Sequence, residues 1–514
     1  MWKGEKSMIS LTDFLELSKT YRTIPLAKEV AKKKLSELNL SILKKSYSYL
    51  LLLESGEHGE EHGRFTYLSP SPFLIIQSKD QQIRLSGEEE VMRQLKEAGI
   101  DRLKDQPKKM IEMILKTYRS PKIPTLPYFT GGAIGYFSYE WVKRSERIET
   151  NHQRPSPFSE FHLAFIKELL VYDHEQERLL FIDNLIIDPN ETKDKKEEKY
   201  RQAMKTLKEK AEYWRQFIAE NSSPPIEISK EKEEIKPFQS SFTKEQFVEG
   251  VKQLKEAIRQ GEIFQAVLSL KQSIKTDADA VLVYQILRKI NPSPYMVYLQ
   301  MADETIIGAS PETLVKIVGD EIATYPIAGT RPRGKTPLEE EQLAEELQND
   351  PKEIAEHVML IDLARNDLGK VSQPGSVKVA KKMKIEKYSH VMHLVSKVVG
   401  KLKEGTTSLD VLEATFPAGT VSGAPKVRAM ELIAKLEREE RGPYAGAVAA
   451  ISFNGNLDTC ITIRSIFFHD GIAYLQSGAG IVYDSIPEKE YEEVSNKAKA
   501  MMKAIRIAEG YQNE

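Results

Sequence analysis

Three kinds of residue in the C-terminal half of this 514-residue chain sit where chemistry, rather than packing, would explain them. Glu356 lies four residues before Leu360 and seven before Leu363, so a helix puts its carboxylate on their apolar face. An acid there is rarely buried without a cation or a hydrogen-bond donor. Glu493 lies in the helix-like stretch 488–508, beside the stripe Tyr491, Val494, Ala498 and Met501 and four residues before Lys497. Spacing alone favours a surface ion pair between Glu493 and Lys497. The chemical alternative makes Glu356 and Glu493 hard-oxygen ligands of Mg2+, which takes one or two carboxylates and completes its shell with ligand and water oxygens.

The second kind is glycine in turn-like settings: Pro326–Pro332 (PIAGTRP), Phe416–Thr420 (FPAGT) and Ser477–Gly480 (SGAG). Glycine lets backbone N–H groups approach an anion, although most such turns merely connect elements. The third is Arg464, inside the strand-like run Ile461–Ser465. An arginine among β-branched residues either faces solvent or pairs with a buried anion, and its fork fits a carboxylate.

The elements that must position these residues are legible in outline. Short apolar runs separated by turn signals fill residues 1–187, including 49–54, 72–77 and 179–187, which reads as antiparallel strands with a few helices. Residues 188–220 are strongly charged and read as a solvated surface helix, and the break at Asn221–Pro225 begins a linker. Thr243 and Gln246 form a capping box, with Phe242 and Phe247 at the staple positions. Thr336-Pro337 and Asp350-Pro351 start two further helices. Between the helices, 264–270, 295–300, 445–453, 459–468 and 472–476 read as strands. Without a regular βαβ rhythm, the class is α+β with antiparallel sheets. The expected division is 1–225 and 239–514.

Composition narrows the partners. With 40% hydrophobic and 29% charged residues the chain reads as soluble and globular, and a net charge of -2 without a basic stripe argues against nucleic acid. No apolar run approaches a membrane span, and the start lacks a secretory signal. One cysteine, Cys460, fits a reducing cytoplasmic setting, and its surroundings suit a core residue rather than a nucleophile.

Long strings then resemble the chorismate-utilising enzymes, and among them the component I branch of anthranilate synthases. They include GEIFQAVLS (261–269), NPSPYM (291–296), GASPE (308–312), YPIAGTRPRG (325–334), EHVMLIDLARNDLG (356–369), YSHVMHLVS (388–396), FPAGTVSGAPKVRAME (416–431) and QSGAGIVYDS (476–485). The resemblance implies a large composite fold of two antiparallel β-sheets packed together and flanked by helices. It implies chorismate as substrate, with Glu356 and Glu493 holding Mg2+, and Gly329, Thr330, Tyr444, Arg464, Gly478, Ala479, Gly480 and Lys497 binding substrate. Glu312 and His393 become the acid–base pair; alone, His393 would read as an ordinary helix histidine, as would His357 and His390. Lysine is typical of aminodeoxychorismate synthases at the place of Ala328, and of isochorismate and salicylate synthases at the place of Gln265. With neither lysine present, external ammonia is the expected nucleophile.

The resemblance further implies a glutamine amidotransferase partner that supplies ammonia, in a heterotetramer of two large and two small subunits. A regulatory N-terminal half would bind L-tryptophan as inhibitor through Glu54, Ser55, Pro294, Tyr295 and Met296. Glu140 stands where the family usually has aspartate, Val494 where threonine is usual and Ser477 where alanine is common. The competing readings are another chorismate-converting enzyme or a non-catalytic tryptophan-sensing homologue.

Overall fold

The apolar runs of both halves become strands of two antiparallel sheets, of twelve and eleven strands among the described residues. The structure, a computed structural model, describes residues 9–511 except 33, 34, 56–62, 80, 81, 151, 153, 223–225, 227, 229–236, 389 and 390. The first sheet runs Thr23–Ala31, Arg178–Ile186, Glu168–Asp173, Phe65–Ser69 and Tyr49–Glu54. It continues through Tyr295–Met301, Glu304–Ser310, Ser465–His469 and Ile472–Ile481 to Gln265–Lys275. In the second, Ile327–Pro332, Val391–Lys401, Glu321–Thr324, Thr313–Val318, Leu457–Ile461 and Ala447–Ser452 lead into Gly132–Phe137, Phe161–Ile166, Pro72–Lys79 and Gln82–Gly87. Each sheet is therefore continuous across strands from both sides of the 221–238 stretch. The joins are Leu53 opposite Val297 and Gly135 opposite Ala449.

The period-two pattern of Leu50-Leu51-Leu52 shows how the layers are built. Leu51 joins a core cluster with side chains from both sheets, among them Phe137, Phe165, Val297, Leu314 and Ile451. Leu50 and Leu52 point the other way, into a second cluster with Tyr284, Trp214 and Ile505 from three covering helices. Burying each large apolar side chain contributes about 1.5–3 kcal/mol.

The helix starts form as the sequence indicates. The Thr243–Gln246 capping box is complete, and the Phe242 and Phe247 rings meet at 6.4 Å. Thr336 and Asp350 cap the helices Pro337–Asn349 and Pro351–Gly369 through their side-chain oxygens. The charged stretch differs from expectation. Its helix, Lys193–Glu220, buries Tyr200, Leu207, Ala211, Trp214 and Ile218 along one face, so it covers the first sheet instead of standing in solvent. Few apolar residues sufficed because two of them are large aromatics.

Candidate active site

Two of the corners at which the chain switches sheets lie side by side. Ser310–Thr313 passes from the first sheet to the second, and Ile461–Ser465 passes back. Ile461 N–H donates to the Glu312 carbonyl at 3.0 Å, the Ser310 hydroxyl to the Ile461 carbonyl at 2.7 Å, and Ala309 N–H to the Arg464 carbonyl at 3.1 Å. This corrects the continuous strand expected at 459–468: Leu457–Ile461 and Ser465–His469 belong to different sheets, and Arg464 sits at the bend with φ +52°. The β-branched run masked the corner because both flanking segments are genuine strands. The bend aims Arg464 into a cavity of about 640 Å³ that Glu312 also lines.

Glu312, Gly329, Thr330, Glu356, His393, Tyr444, Arg464, Gly478, Gly480, Glu493 and Lys497 all line this one cavity. Gln265 and Ala328 line it as well. Ala479 does not: strand alternation turns its side chain to the opposite face, where it is fully buried with Phe247 and Leu268. Among the residues missed in the sequence are Thr420, whose hydroxyl donates to Glu312 at 2.9 Å, and the carboxylates Glu353 and Glu490. Thr420 stood in a glycine-rich turn read only for its backbone amides; its hydroxyl was the overlooked signal.

Two of the three glycine-rich stretches are strands, not turns. Ile327–Pro332 is an edge strand with a bulge between Ala328 and Thr330, where Gly329 adopts φ +70°. Ser477–Gly480 lies inside Ile472–Ile481. There the glycine clears space: a Cβ on Gly478 would lie 2.8 Å from both the Tyr444 hydroxyl and a Val267 methyl. Pairing with Ser465–His469 ends at Leu475, whereas pairing with Gln265–Lys275 continues to Ile481, so one edge of this glycine segment has no strand partner among the described residues. His393 also departs from expectation, standing on the strand Val391–Lys401 instead of a helix. His357 is the buried helix histidine, bonded to Ser396 at 2.7 Å and pushed down to about 4 by burial. His390 lies outside the described residues.

The charges around the cavity are specific. Burial pushes Glu312 up to about 7, against the opposing effect of the Thr420 hydrogen bond. His393 is held below its ordinary value by burial, and its Nδ1 lies 2.9 Å from the Gly329 carbonyl. A carbonyl only accepts, so Nδ1 carries the proton and Nε2 is the basic nitrogen. Burial lowers Arg464 below its ordinary range, and among the described residues no carboxylate forms an ion pair with it. Glu356 is half-buried, raised by desolvation and then by neighbouring Glu353, and likewise has no ion-pair partner among the described residues. Glu493 keeps the surface pairing with Lys497, at 2.7 Å with 51% of its side chain exposed. Lys497 also donates to the Gly478 carbonyl at 2.9 Å.

A half-buried carboxylate with no cation, beside a second carboxylate on a neighbouring helix, fits a divalent metal. No three acidic, histidine or cysteine residues converge on a metal-sized spot among the described residues.

A second, narrow cavity of about 50 Å³ gathers Glu54, Ser55, Pro294, Tyr295 and Met296 at the seam between the halves in the first sheet. Its wall is fixed by Asp458, which accepts from Tyr295 at 2.9 Å and Tyr128 at 2.8 Å. Glu54 turns away to Tyr284 and Arg288, at 2.8 and 3.2 Å. Cys460 lies against the same cavity as a buried strand residue, its thiol pushed up by burial.

Residues 51–503 match the model of the chorismate binding enzyme family. The chain belongs to this family. As a family member it is 43% identical over 495 residues to anthranilate synthase component 1 of Acetivibrio thermocellus, covering 96% of this chain and 97% of the relative. It is 42% identical over 508 residues to anthranilate synthase component 1 of Aquifex aeolicus, covering 98% and 99%. The crystal structure of anthranilate synthase component I from Streptococcus pneumoniae superposes with a TM-score of 0.67 at 33% identity, over 87% of this chain and 93% of that one. The menaquinone-specific isochorismate synthase of Escherichia coli shares the fold, with a TM-score of 0.65 at 17% identity over 96% and 98% of the two chains. No helix among the described residues is long and apolar enough to cross a membrane.

Proposed function

We propose that this family member is the large subunit of an anthranilate synthase, converting chorismate and ammonia to anthranilate and pyruvate. The observation that carries the reading is the convergence on one cavity of an arginine with no ion-pair partner among the described residues, a carboxyl group raised to about 7, and glutamine and alanine at positions 265 and 328. A dianionic substrate complements Arg464 and the open edge of the glycine strand. Glu356 and Glu493 would hold Mg2+, competing with Lys497 for Glu493. When bound, the metal neutralises the ring carboxylate and withdraws electron density from the ring. Glu312, protonated below about pH 7, donates to the departing C4 hydroxyl as ammonia bonds to C2, and water leaves. His393 Nε2 then takes the C2 proton while the enolpyruvyl C–O bond breaks, and protonation of that fragment yields pyruvate.

Neither position that carries lysine in the sister branches does so here, so no side-chain amine is presented at either in place of ammonia. The buried Cys460 is unsuited to glutamine hydrolysis, and a separate amidotransferase subunit is the proposed source of ammonia. Two large and two small subunits are the proposed assembly and the cytoplasm its proposed location. The test is fluorescence-detected anthranilate formation by the isolated chain with Mg2+. Ammonium is expected to support turnover, glutamine to support none, and a chelator to abolish it. A non-aromatic product, or glutamine use without a partner, would overturn the reading.

The cavity at Ser55 and Tyr295 is the proposed tryptophan site. At about 50 Å³ it must open to admit an indole, which makes it a two-state element that a ligand can bias. Ser55→Phe fills it from the 8%-exposed serine position. The variant is expected to keep its basal rate and lose tryptophan inhibition in an inhibitor titration. Unaltered inhibition would remove Ser55 from the site.

A further inference from the structure

Arg441 is buried to 3% exposure and does not line the substrate cavity, yet two of its donor contacts reach elements that do. Nη1 donates to the Val421 carbonyl and Nη2 to the Val267 carbonyl, both at 2.7 Å. Nε and Nη2 form a fork on Glu437 at 2.8 Å. Glu437 in turn accepts from the Ser269 amide at 2.9 Å and its hydroxyl at 2.7 Å. That hydroxyl has spent its proton, so it accepts from the Gln476 side-chain amide at 2.7 Å, which fixes the orientation of Gln476. Val267, Val421 and Gln476 all line the cavity.

The same arginine holds Tyr444. Its guanidinium lies 5.7 Å from the Tyr444 ring and 4.5 Å from the Tyr139 ring. The bend between them is tight, with Gly442 at φ +66° and Ala445 at φ +63°. Glu140, from the N-terminal half, caps it by accepting from Arg441 N–H at 2.9 Å and Gly442 N–H at 3.0 Å. One planar cation thus ties together the strand Gln265–Lys275, the Gly419–Val421 turn, the Tyr444 bend and, through Glu437 and Ser269, Gln476. A lysine cannot span these partners, because its donors sit on one point at the end of a flexible stem.

We infer that Arg441 is a positioning residue for chorismate turnover, fixing the cavity floor and Tyr444 through its fork on Glu437 and the two carbonyls. This rests on the proposed function, and the experiment separates the two. Wild-type turnover of chorismate with ammonium and Mg2+ tests the function. Arg441→Lys, which keeps the charge opposite Glu437, and the paired variant Arg441→Met with Glu437→Met test the inference. Removing both members of a buried ion pair leaves no stranded charge, so the paired variant is expected to melt above Arg441→Met alone, though below wild type because the Val267 and Val421 carbonyls and the Ser269 amide lose their partners. Its kcat/KM for chorismate is expected to stay at least about five-fold down, with Arg441→Lys also down by about five-fold or more. Recovery of activity together with the melting temperature makes the pair merely structural and overturns the inference. If the paired variant does not fold, Arg441→Lys decides alone, and a loss smaller than about five-fold overturns it. Should the wild type prove inactive, the proposed function fails, and the same comparison is made on chorismate affinity by calorimetry.

Discussion

Glu312→Gln is expected to lower kcat for anthranilate formation by about 10²- to 10⁴-fold, the usual contribution of a positioned general acid, while raising thermal stability at pH 8. The two effects share one cause. Glu312 is 9% exposed at a corner between sheets, with the Thr420 hydroxyl as its side-chain hydrogen-bond partner, and burial lifts its carboxyl to about 7. It therefore keeps its proton in about half of the molecules at neutral pH, where an ordinary glutamate is ionised, and can donate to a leaving oxygen. As pH rises through about 7 it ionises inside the fold, whereas an unfolded glutamate has ionised near its ordinary value of 4.5. Between those values the native state binds the extra proton, so stability falls as pH rises. Above the upper value the ionised group costs roughly 3 kcal/mol, and an isosteric amide that can still accept from Thr420 avoids it. Melting curves of wild type and variant should converge near pH 5 and separate by pH 8, with the variant higher. The alkaline limb of the kcat/KM profile near pH 7 should vanish with the carboxyl. An alkaline limb unchanged in the variant would transfer the acid role to another group.

That corner was also the least legible part of the chain. Short apolar runs identified strands such as Tyr49–Glu54, Pro72–Lys79 and Tyr295–Met301, and side-chain caps at Thr243, Thr336 and Asp350 fixed helix starts, because both signals are local. Which sheet a strand joins is not local. The run 459–468 reads as one strand, yet its two ends pair with Thr313–Val318 in one sheet and Glu304–Ser310 in the other. The glycines of 326–332 and 477–480 carried a true signal of close approach, but within strands, where a missing Cβ makes room for Leu347, Tyr444 and Gln265. Most of the residues that converge on the cavity were reached through long family strings, while Arg441 was not. It touches no ligand, and its importance lies in partners 20 and 174 residues away in sequence. The 1–225 and 239–514 division followed composition, and composition carries no information about strand order.

Arg464→Met is expected to weaken chorismate binding by about 30- to 1,000-fold, the equivalent of roughly 2–4 kcal/mol for a desolvated charged contact, and to raise the melting temperature of the free enzyme. Methionine keeps the apolar length of the side chain, and both residues meet the same backbone cost at φ +52°. Glycine would relieve that cost and confuse the comparison. In the free enzyme the guanidinium is drawn out of water without a paired carboxylate among the described residues, and burial holds it below its ordinary range. A structural arginine at such a place would have its anion beside it, as Arg441 has Glu437 at 2.8 Å. Removing a member of a buried ion pair costs about 3–5 kcal/mol of stability, whereas removing a charge that lacks its partner relieves a desolvation penalty. The sign of the melting shift therefore tells whether Arg464 serves the fold or waits for a ligand. Calorimetric titration with chorismate and thermal unfolding of the same samples measure both quantities. A sharp drop in melting temperature, or unchanged affinity, would show that its counter-ion belongs to the protein. With Glu312, this places two energetically unfavourable groups at adjacent sheet-switch corners, where the backbone geometry rather than their own interactions holds them ready for substrate.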